Sequence, residues 1–395
     1  MPEKRIRPLT PPYAGLQASY WVVNCVLFAF ASVYLQANGL RPSVIGVILA
    51  LATALSGLLQ PVAASFADRT KRVSLRTIVA LGGLLGVLFL AALCAAPAGS
   101  LALAVCFLFA ALLNDLSQPM MNALSVYCCD RGRKINFGFA RSMGSLGFAA
   151  ASVVLGKLAA AFGAKAMLAV CLAACALYTL LAFSFPTLRG VPAARADKAA
   201  PQEASSLPQF FRKYRAFCLS LTGIFCFTCF HLMTEHYLFQ MFVHVGGGES
   251  DLGFNLGMST LVEIPAIMLF SRFSRRAKTE TWLRAAGVSF LLKAVCFAAA
   301  RSVWALHAAQ LFQATSFGIY VPASVLYAQE RIAPEDMVKG QAMVAAFYTL
   351  GGSLGNLLGG LILDRSGVPA MLAAGVAFAA AGAVILFLTV RPRKN

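Results

Sequence analysis

Charged residues are scarce in this chain, and acidic residues are the scarcer sign. Only 12% of its 395 residues are charged, with 15 Asp and Glu against 33 Lys and Arg, and only four residues are His. A soluble domain carries about 25% charged residues, so this composition argues against a soluble globular fold. The sequence also lacks a phosphate-binding loop, a Ser/His/Asp arrangement and a metal-ligand cluster. We therefore predict no enzyme, no ATP-driven pump, no cofactor and no bound metal.

Long apolar runs are what the chain has in abundance. Hydrophobic residues make up 59% of it, and runs of about 20 residues recur along its whole length. A run of this length is sufficient for a helix to cross a bilayer, so we predict an all-α membrane protein with twelve transmembrane helices. The predicted spans are 13–37, 43–67, 75–96, 101–126, 137–160, 166–185, 216–243, 252–271, 281–300, 303–327, 340–363 and 369–390.

A polar, basic stretch separates six spans from the other six. It predicts three parts: an N-terminal six-helix bundle at 1–190, a cytoplasmic linker at 191–214 and a C-terminal six-helix bundle at 215–395. Spans 2 and 8 both lead into basic loops, which is the weak internal symmetry expected of two pseudo-symmetric repeats. In span 11, Gly351, Gly355 and Gly359 have the spacing that permits close helix packing.

The net charge of +18 is distributed in a way that predicts orientation rather than nucleic-acid binding. Of the 33 Lys and Arg residues, 25 lie in the N-terminus, alternate loops and the C-terminus. This positive-inside bias predicts a multi-pass protein of the plasma (inner) membrane with both termini in the cytoplasm. The polar, basic residues 1–12 fit a cytoplasmic tail better than a signal peptide. The lipid bilayer is the expected partner, and a complete set of spans fits a functional monomer.

Ionisable residues interrupt several of the predicted spans. Asp115, Glu235 and Glu263 supply carboxylates, whereas Arg141 and Lys293 supply positive charges. A charge near the bilayer centre is unfavourable by about 2.5–3.5 kcal/mol on insertion scales. Such residues usually face a polar cavity and mark the path of an ion or substrate. The sequence therefore predicts a transporter.

The loop after span 2 carries a motif that suggests a family. Its residues, Ala64-Ser-Phe-Ala-Asp68-Arg69-Thr-Lys71-Arg72, resemble the Gly-x-x-x-Asp-Arg-x-Gly-Arg-Arg loop of the major facilitator superfamily. Ala64 and Lys71 stand where that motif has its two glycines. The resemblance implies that Asp68, Arg69 and Arg72 form a conformational latch on the cytoplasmic side.

Span 5 narrows the resemblance to one branch of that superfamily. Residues 136–148 are similar to the signature Tyr-Gly-Arg-x-Arg-x-x-Gly-Ser-x-Gly-Phe of the lactose, phenylpropionate and nucleoside permeases, with Phe139 replacing the first arginine. Arg141, Ser145 and Phe148 are spaced to share one helical face. That face combines a guanidinium, a hydroxyl and an aromatic ring, which suits a sugar or an aromatic carboxylate. The resemblance implies that these three residues bind substrate.

Span 4 departs from the branch at the partner of the span-5 arginine. The branch has a carboxylate where this chain has Asn122, so we expect an Asn122–Arg141 pair at the substrate site. Asp115 is an alternative acidic partner for Arg141. With Asn122 in place of the carboxylate, we expect an anionic substrate rather than a lactose-like one.

The C-terminal half supplies a second set of candidate residues. Residues 256–265 resemble the branch's span-8 segment, which implies that Glu263 binds substrate, and Lys293 aligns with a basic position of the branch. We expect Glu263 and Lys293 to form a couple that exchanges a proton. Gln310 and Gln313 lie where the lactose permease has its proton site, and Gln313 is a candidate substrate ligand.

Proton coupling has four candidate residues: Glu263, Glu235, His231 and Asp115. His231 and Glu235 are four residues apart and share one helical face, so an imidazole–carboxylate relay is possible. The alternative is a pair near a helix end that is partly wet.

Three functions are compatible with these patterns. The leading prediction is proton-coupled uptake of a small polar solute, such as a sugar, nucleoside or aromatic carboxylate, by alternating access. The second is efflux of drugs or metabolites by proton antiport, although residues 144–147 lack the proline of many exporters. The third is a membrane enzyme or a transport-deficient sensor. Sodium is left open as the coupling ion.

Overall fold

The computed structural model describes residues 8–69, 74–187 and 205–390, except for the side chains of 64–69. Within these ranges the regular structure is helical and no strand occurs, which confirms the predicted all-α class. The first seven helices are α1 (Thr10–Asn24), α2 (Ala31–Ala37), α3 (Pro42–Arg69), α4 (Leu75–Ala95), α5 (Leu101–Cys129), α6 (Phe137–Phe162) and α7 (Lys165–Ser184). The others are α8 (Leu207–Lys213), α9 (Arg215–His236), α10 (Leu238–His244), α11 (Glu249–Phe273), α12 (Thr279–Ala299), α13 (Val303–Gln310), α14 (Phe317–Arg331) and α15 (Met337–Thr389).

Helix lies at every predicted span, but the helices are not twelve separate rods. In the described residues nine helices are long and apolar enough to cross a membrane, and α1 and α2, bent by 55°, make a tenth. The 53-residue α15 covers both of the last two predicted spans and is interrupted at Gly367, whose φ is 76°. The predicted span 303–327 is divided into α13, a 3-10 turn at Leu311–Gln313 and α14.

The chain divides into two compact units. Unit 1 comprises Met1–Leu40 and Leu51–Ala199, and unit 2 comprises Arg41–Ala50 and Ala200–Asn395. The first turns of α3 thus belong with unit 2, where the Tyr237 hydroxyl donates to the carbonyl of Pro42 at 3.3 Å.

Small residues allow close helix contacts within each unit. In unit 2, a Cβ at Gly355 would press against the backbone carbonyl of Cys229, so α15 and α9 are in near-backbone contact, as the glycine spacing predicts. In unit 1, a Cβ at Gly147 would lie 3.3 Å from Ala18, which brings α6 against α1. These two contacts position the helices that carry the candidate site residues.

The end of the predicted linker is helical and is fastened to unit 2. The buried Asp336 accepts from the backbone N–H of Ser205 at 2.9 Å and from its hydroxyl at 2.8 Å. Lys213 and Tyr214, at the end of α8, each donate to the same carboxylate at 3.1 Å. Hydrogen bonds with Tyr214, Asp336 and Glu335 raise the pKa of Lys213, so its ammonium stays charged at physiological pH.

Candidate functional site

A fully buried ammonium is the centre of the polar site in unit 2. Lys293 of α12 is 0% exposed and donates to Glu235 of α9 at 2.9 Å and to Gln313 Oε1 at 2.7 Å. Gln310 Nε2 donates to the same oxygen of Glu235 at 3.1 Å. Since an unpaired buried charge is strongly destabilising, these contacts explain how the membrane interior tolerates Lys293.

Gln313 extends these contacts to the second carboxylate. Its Oε1 accepts from Lys293, so its amide nitrogen faces the other way and donates to Glu263 Oε2 at 3.1 Å. The sequence predicts a direct Glu263–Lys293 couple, whereas in the structure the hydrogen bonds of Lys293 go to Glu235 and Gln313, and Gln313 connects Lys293 to Glu263. The observed pairing differs from the predicted one because the Lys293 ammonium bonds to Glu235, which the sequence analysis assigned to a relay with His231.

The local backbone explains why two glutamines serve one site. Gln310 ends α13, and Gln313 ends the 3-10 turn that follows it. Residues three apart are eclipsed in 3-10 geometry, so both amides reach the same side of the segment. Both are at least 95% buried. A regular α-helix predicted from the apolar pattern does not reveal this turn.

Close packing also sets the position of Glu263. A Cβ added at Gly318 of α14 would lie 3.0 Å from Ala266 Cβ and 3.6 Å from Glu263 Cγ. The missing side chain at Gly318 therefore lets α14 approach α11 at the level of this carboxylate. We name the connected set Gln310–Glu235–Lys293–Gln313–Glu263 the acidic network, because it holds two carboxylates and one ammonium.

His231 lies beside the acidic network. Its Nδ1 is 3.8 Å from Glu235 Oε1, on the face that the four-residue spacing predicts. This distance exceeds that of a hydrogen bond. The ring is stacked on Phe317, with centroids 4.9 Å apart, and meets Phe290 edge-on at 5.6 Å. His231 is thus held mainly by aromatic packing.

Aromatic side chains that the sequence analysis did not single out lie next to His231 in unit 2. Phe317 and Tyr348 are half-buried with ring centroids 6.3 Å apart, and Tyr348 stacks on Tyr320 at 6.2 Å. Aromatic residues inside apolar spans are most often core residues, so their sequence carries no signal of a site. Their partial exposure in the structure makes them candidates for contact with a solute ring.

In unit 1, the predicted face of α6 is assembled around an unpredicted tryptophan. The Arg141 guanidinium lies 4.4 Å from the Trp21 ring and donates to Ser145 Oγ at 3.3 Å. Trp21 meets Phe148 edge-on, with centroids 6.2 Å apart. A Cβ at Gly144 would collide with the Trp21 ring, so this glycine makes room for it. All three predicted residues are therefore together, with Trp21 as the added member.

Asn122 has different neighbours from those predicted. Asn122 Oδ1 accepts from Tyr13 at 3.3 Å and from Gln17 at 3.5 Å, both on α1, in place of the predicted pair with Arg141. Asp115 is half-buried on α5, and its alternative pairing with Arg141 stays a prediction. The polar neighbours of Asn122 thus come from α1, whereas the sequence analysis expected Arg141 of α6.

The predicted latch cannot be placed as a set of side chains. Asp68 and Arg69 lie at the end of α3, and their side chains are outside the described part of the chain. Arg72 lies outside the described residues altogether. The latch thus stays a prediction.

Comparisons with known proteins agree with this architecture. The family described as "MFS_1 like family" matches residues 18–373. The maltose permease of Geobacillus stearothermophilus is 28% identical over 351 residues, covering 86% of this chain and 84% of the permease.

Solved structures give the same result for the fold. A variant of the nucleoside transporter NupG superposes with a TM-score of 0.77 at 16% identity, covering 96% of this chain and 97% of that one. The POT family transporter PepTSo superposes with a TM-score of 0.73 at 10% identity, covering 96% of each chain. These similarities identify the fold, and at such identities they do not identify a substrate.

Proposed function

The chain belongs to the MFS_1 like family of major facilitator transporters, and from this premise we propose that it takes up a small polar solute together with protons. It is a multi-pass membrane transporter and not an enzyme. In our proposal the bundles at 1–190 and 215–395, joined by the linker at 191–214, move the solute by alternating access. Both termini then lie in the cytoplasm, as the basic loops predict.

The connection of two carboxylates to one buried ammonium carries the proposal. Glu235 bonds directly to Lys293, and Glu263 is connected to Lys293 through the amide of Gln313. A charged carboxylate inside a membrane-spanning helix is unfavourable, so binding of one proton would make reorientation easier. This connection supports coupling to a proton, and uptake is the direction that we propose.

Glu263 is the carboxylate that we assign to the proton. Glu235 is bonded directly to the Lys293 ammonium at 2.9 Å. Glu263 is half-buried and accepts a hydrogen bond from the amide of Gln313, so a proton on Glu263 can change the contacts of Gln313 while the Glu235–Lys293 ion pair stays in place. Movement of Gln313 would relay the protonation of Glu263 to Lys293, because the same amide contacts both.

The polar and aromatic side chains of unit 1 support a ring-bearing, hydroxylated solute. In unit 1 the site offers the Arg141 guanidinium, the Ser145 hydroxyl and the rings of Trp21 and Phe148. Hydrogen bonds to hydroxyls and stacking of a ring are what such a set provides. The names of the similar proteins, a maltose permease and a nucleoside transporter, fit this class. We therefore propose a nucleoside or a sugar, with an aromatic carboxylate as the third candidate.

The coupling test compares two modes of transport in proteoliposomes. Glu263→Gln should abolish accumulation driven by a pH gradient but retain exchange of labelled for unlabelled solute, because exchange needs no net proton movement. Glu249→Gln is the matched control, since Glu249 begins the same helix, α11. Accumulation at the wild-type level in Glu263→Gln would disprove the role of Glu263.

The substrate test is a thermal-stability screen of purified protein at two pH values. Nucleosides, sugars and aromatic carboxylates are compared, because a ligand at 100 times its Kd stabilises the folded state by about 2.7 kcal/mol. A hit within one class that depends on pH supports proton-coupled uptake of that class. Hits confined to lipophilic cations would instead favour proton-antiport efflux.

A further inference from the structure

A cavity of about 320 Å³ lies at one end of unit 2, where three chain connections meet. It lies where α10, the turn between α12 and α13, and the Gly367 break in α15 come together. Its floor is formed by apolar side chains that are each at most 8% exposed: Met241, Phe297, Leu306, Val368 and Leu372. Two basic residues, His244 and Arg301, also line the cavity and are exposed.

The backbone explains why this space is open. α12 ends at Ala299 and α13 begins at Val303, so the connection between them is only three residues long. Gly367 has φ 76° and ψ −176°, which redirects the chain immediately before Val368. Only glycine adopts such a backbone readily. The second half of α15 therefore starts at an offset that leaves a gap beside α10.

Arg301 is held at the rim of the cavity. Its Nη1 donates to the carbonyls of Ala298 at 3.1 Å and Ala300 at 3.2 Å, at the C-terminal end of α12. Among the described residues, these bonds use Nη1 alone, so Nη2 and Nε keep their hydrogens for a ligand. A guanidinium fixed in this way is oriented before the ligand arrives, which lowers the entropy lost on binding.

We propose that this cavity binds an organic anion with an apolar body, at a site separate from the acidic network. The basic rim attracts an anionic group, no acidic residue is among the lining residues, and the floor accepts the apolar body. A volume of about 320 Å³ is in the range of ligand pockets, which starts at about 300 Å³. The same chemistry is offered by a free carboxylate and by the headgroup and chain of an anionic lipid.

Phe297 gives the site a physical connection to the acidic network. Its ring forms part of the cavity floor, and its centroid lies 5.3 Å from Lys293 Nζ. An occupant that packs on Phe297 is therefore one ring away from the central ammonium. The site is placed to affect the transport step without containing it.

The test measures binding of 2-naphthoate to the full-length protein in phosphatidylcholine nanodiscs, with 2-naphthylmethanol as the uncharged counterpart. We expect one equivalent of naphthoate to bind, and the alcohol to bind at least about tenfold more weakly, because it lacks the charge-assisted hydrogen bond. Arg301→Gln should weaken naphthoate by a similar factor. Arg365→Gln is the matched control, since Arg365 is exposed near the same break and is not among the lining residues.

Two further variants keep the test decisive if Arg301→Gln folds poorly. His244→Gln removes the other basic group, and Ala298→Phe fills the cavity from its wall. Both should weaken naphthoate. Equal binding of acid and alcohol, or an unchanged Kd in Ala298→Phe, would overturn the proposal.

Two last experiments identify the source of the anion and test whether the cavity is separate from the acidic network. Competition by phosphatidylglycerol in the nanodisc assigns the cavity to an anionic lipid, and its absence assigns it to a soluble anion. Naphthoate binding should persist in Glu263→Gln. Its loss there would show that naphthoate occupies the transport site, and the separate site would then be wrong.

Discussion

Unit 2 joins its ionisable residues into one hydrogen-bonded set, whereas unit 1 places its arginine against an aromatic ring. In unit 2, Lys293 links Glu235 to Glu263 through Gln313. In unit 1, Arg141 contacts Trp21 and Ser145, and Asn122 turns to α1. A linked set changes its charge as a whole when one proton binds, whereas an arginine on a ring keeps its charge. In the proposed mechanism, the acidic network of unit 2 carries the coupling and Arg141 of unit 1 orients the solute.

The largest expected effect is the loss of the central ammonium. Lys293→Met leaves Glu235, whose side chain is 17% exposed, without its cation, and breaking a largely buried ion pair in this way is destabilising by up to about 3–5 kcal/mol. We expect a large fall in the melting temperature of the purified protein and no pH-driven accumulation. The measurement is thermal unfolding in detergent together with uptake in proteoliposomes.

A double variant separates stability from coupling. Lys293→Met combined with Glu235→Gln removes both charges, so much of the lost stability should return. Accumulation should remain absent, because the network no longer connects Glu263 to a cation. Recovery of accumulation in the double variant would show that the ion pair serves only the fold.

The second prediction compares close helix packing in the two units. Gly355→Ala in unit 2 forces a Cβ against the Cys229 carbonyl and should destabilise by about 1–3 kcal/mol, since the backbone cannot yield easily. Gly147→Ala in unit 1 meets Ala18 at 3.3 Å, where a shift of a few tenths of an ångström relieves the contact. Melting temperatures of both variants test this, and an equal effect would contradict the difference between the α15–α9 and α6–α1 contacts.

The sequence predicts the helices of both units better than the partners of their polar residues. Apolar run length locates helix at all the predicted spans, because the bilayer imposes that length on every one. The glycine spacing likewise predicts the contact at Gly355. Both signals are local, and each is repeated over many residues.

The partner of each polar residue is set by contacts between residues that are far apart in the sequence, and local sequence patterns carry no information about such contacts. Lys293 bonds to Glu235, 58 residues away, rather than to Glu263, and Asn122 bonds to Tyr13, 109 residues away. Trp21 has no signal of its own, since it reads as one more apolar residue of the first span. The resemblance to the permease branch selects the right face of α6 but omits the ring against which Arg141 packs.

The third prediction tests the recognition role of unit 1. Arg141→Gln removes the guanidinium that lies against Trp21 and bonds to Ser145. If Arg141 donates to the solute, a hydrogen bond worth about 1.5–3 kcal/mol is lost, so the Kd of the identified substrate should rise roughly 10- to 150-fold. Arg141→Lys keeps the charge but loses the planar fork, so it should rescue only part of the affinity.

Substrate binding and proton coupling are measured separately for this prediction. Substrate binding is measured by calorimetry at fixed pH, and the proton-to-solute ratio is measured in proteoliposomes. In both Arg141 variants the ratio should equal that of the wild type, because the acidic network is intact. A changed proton-to-solute ratio would show that Arg141 of unit 1 takes part in the coupling.

The smallest expected effect belongs to His231, although its spacing from Glu235 predicts a relay. The 3.8 Å gap between Nδ1 and Glu235 Oε1 is too long for a hydrogen bond, and Glu235 already accepts from Lys293 and Gln310. His231→Gln should therefore leave the proton-to-solute ratio unchanged. It should lower the melting temperature slightly, because the stacking on Phe317 is lost. A proton-to-solute ratio that falls in His231→Gln, while Glu263→Gln still accumulates solute, would transfer the proton site from the carboxylates to the imidazole.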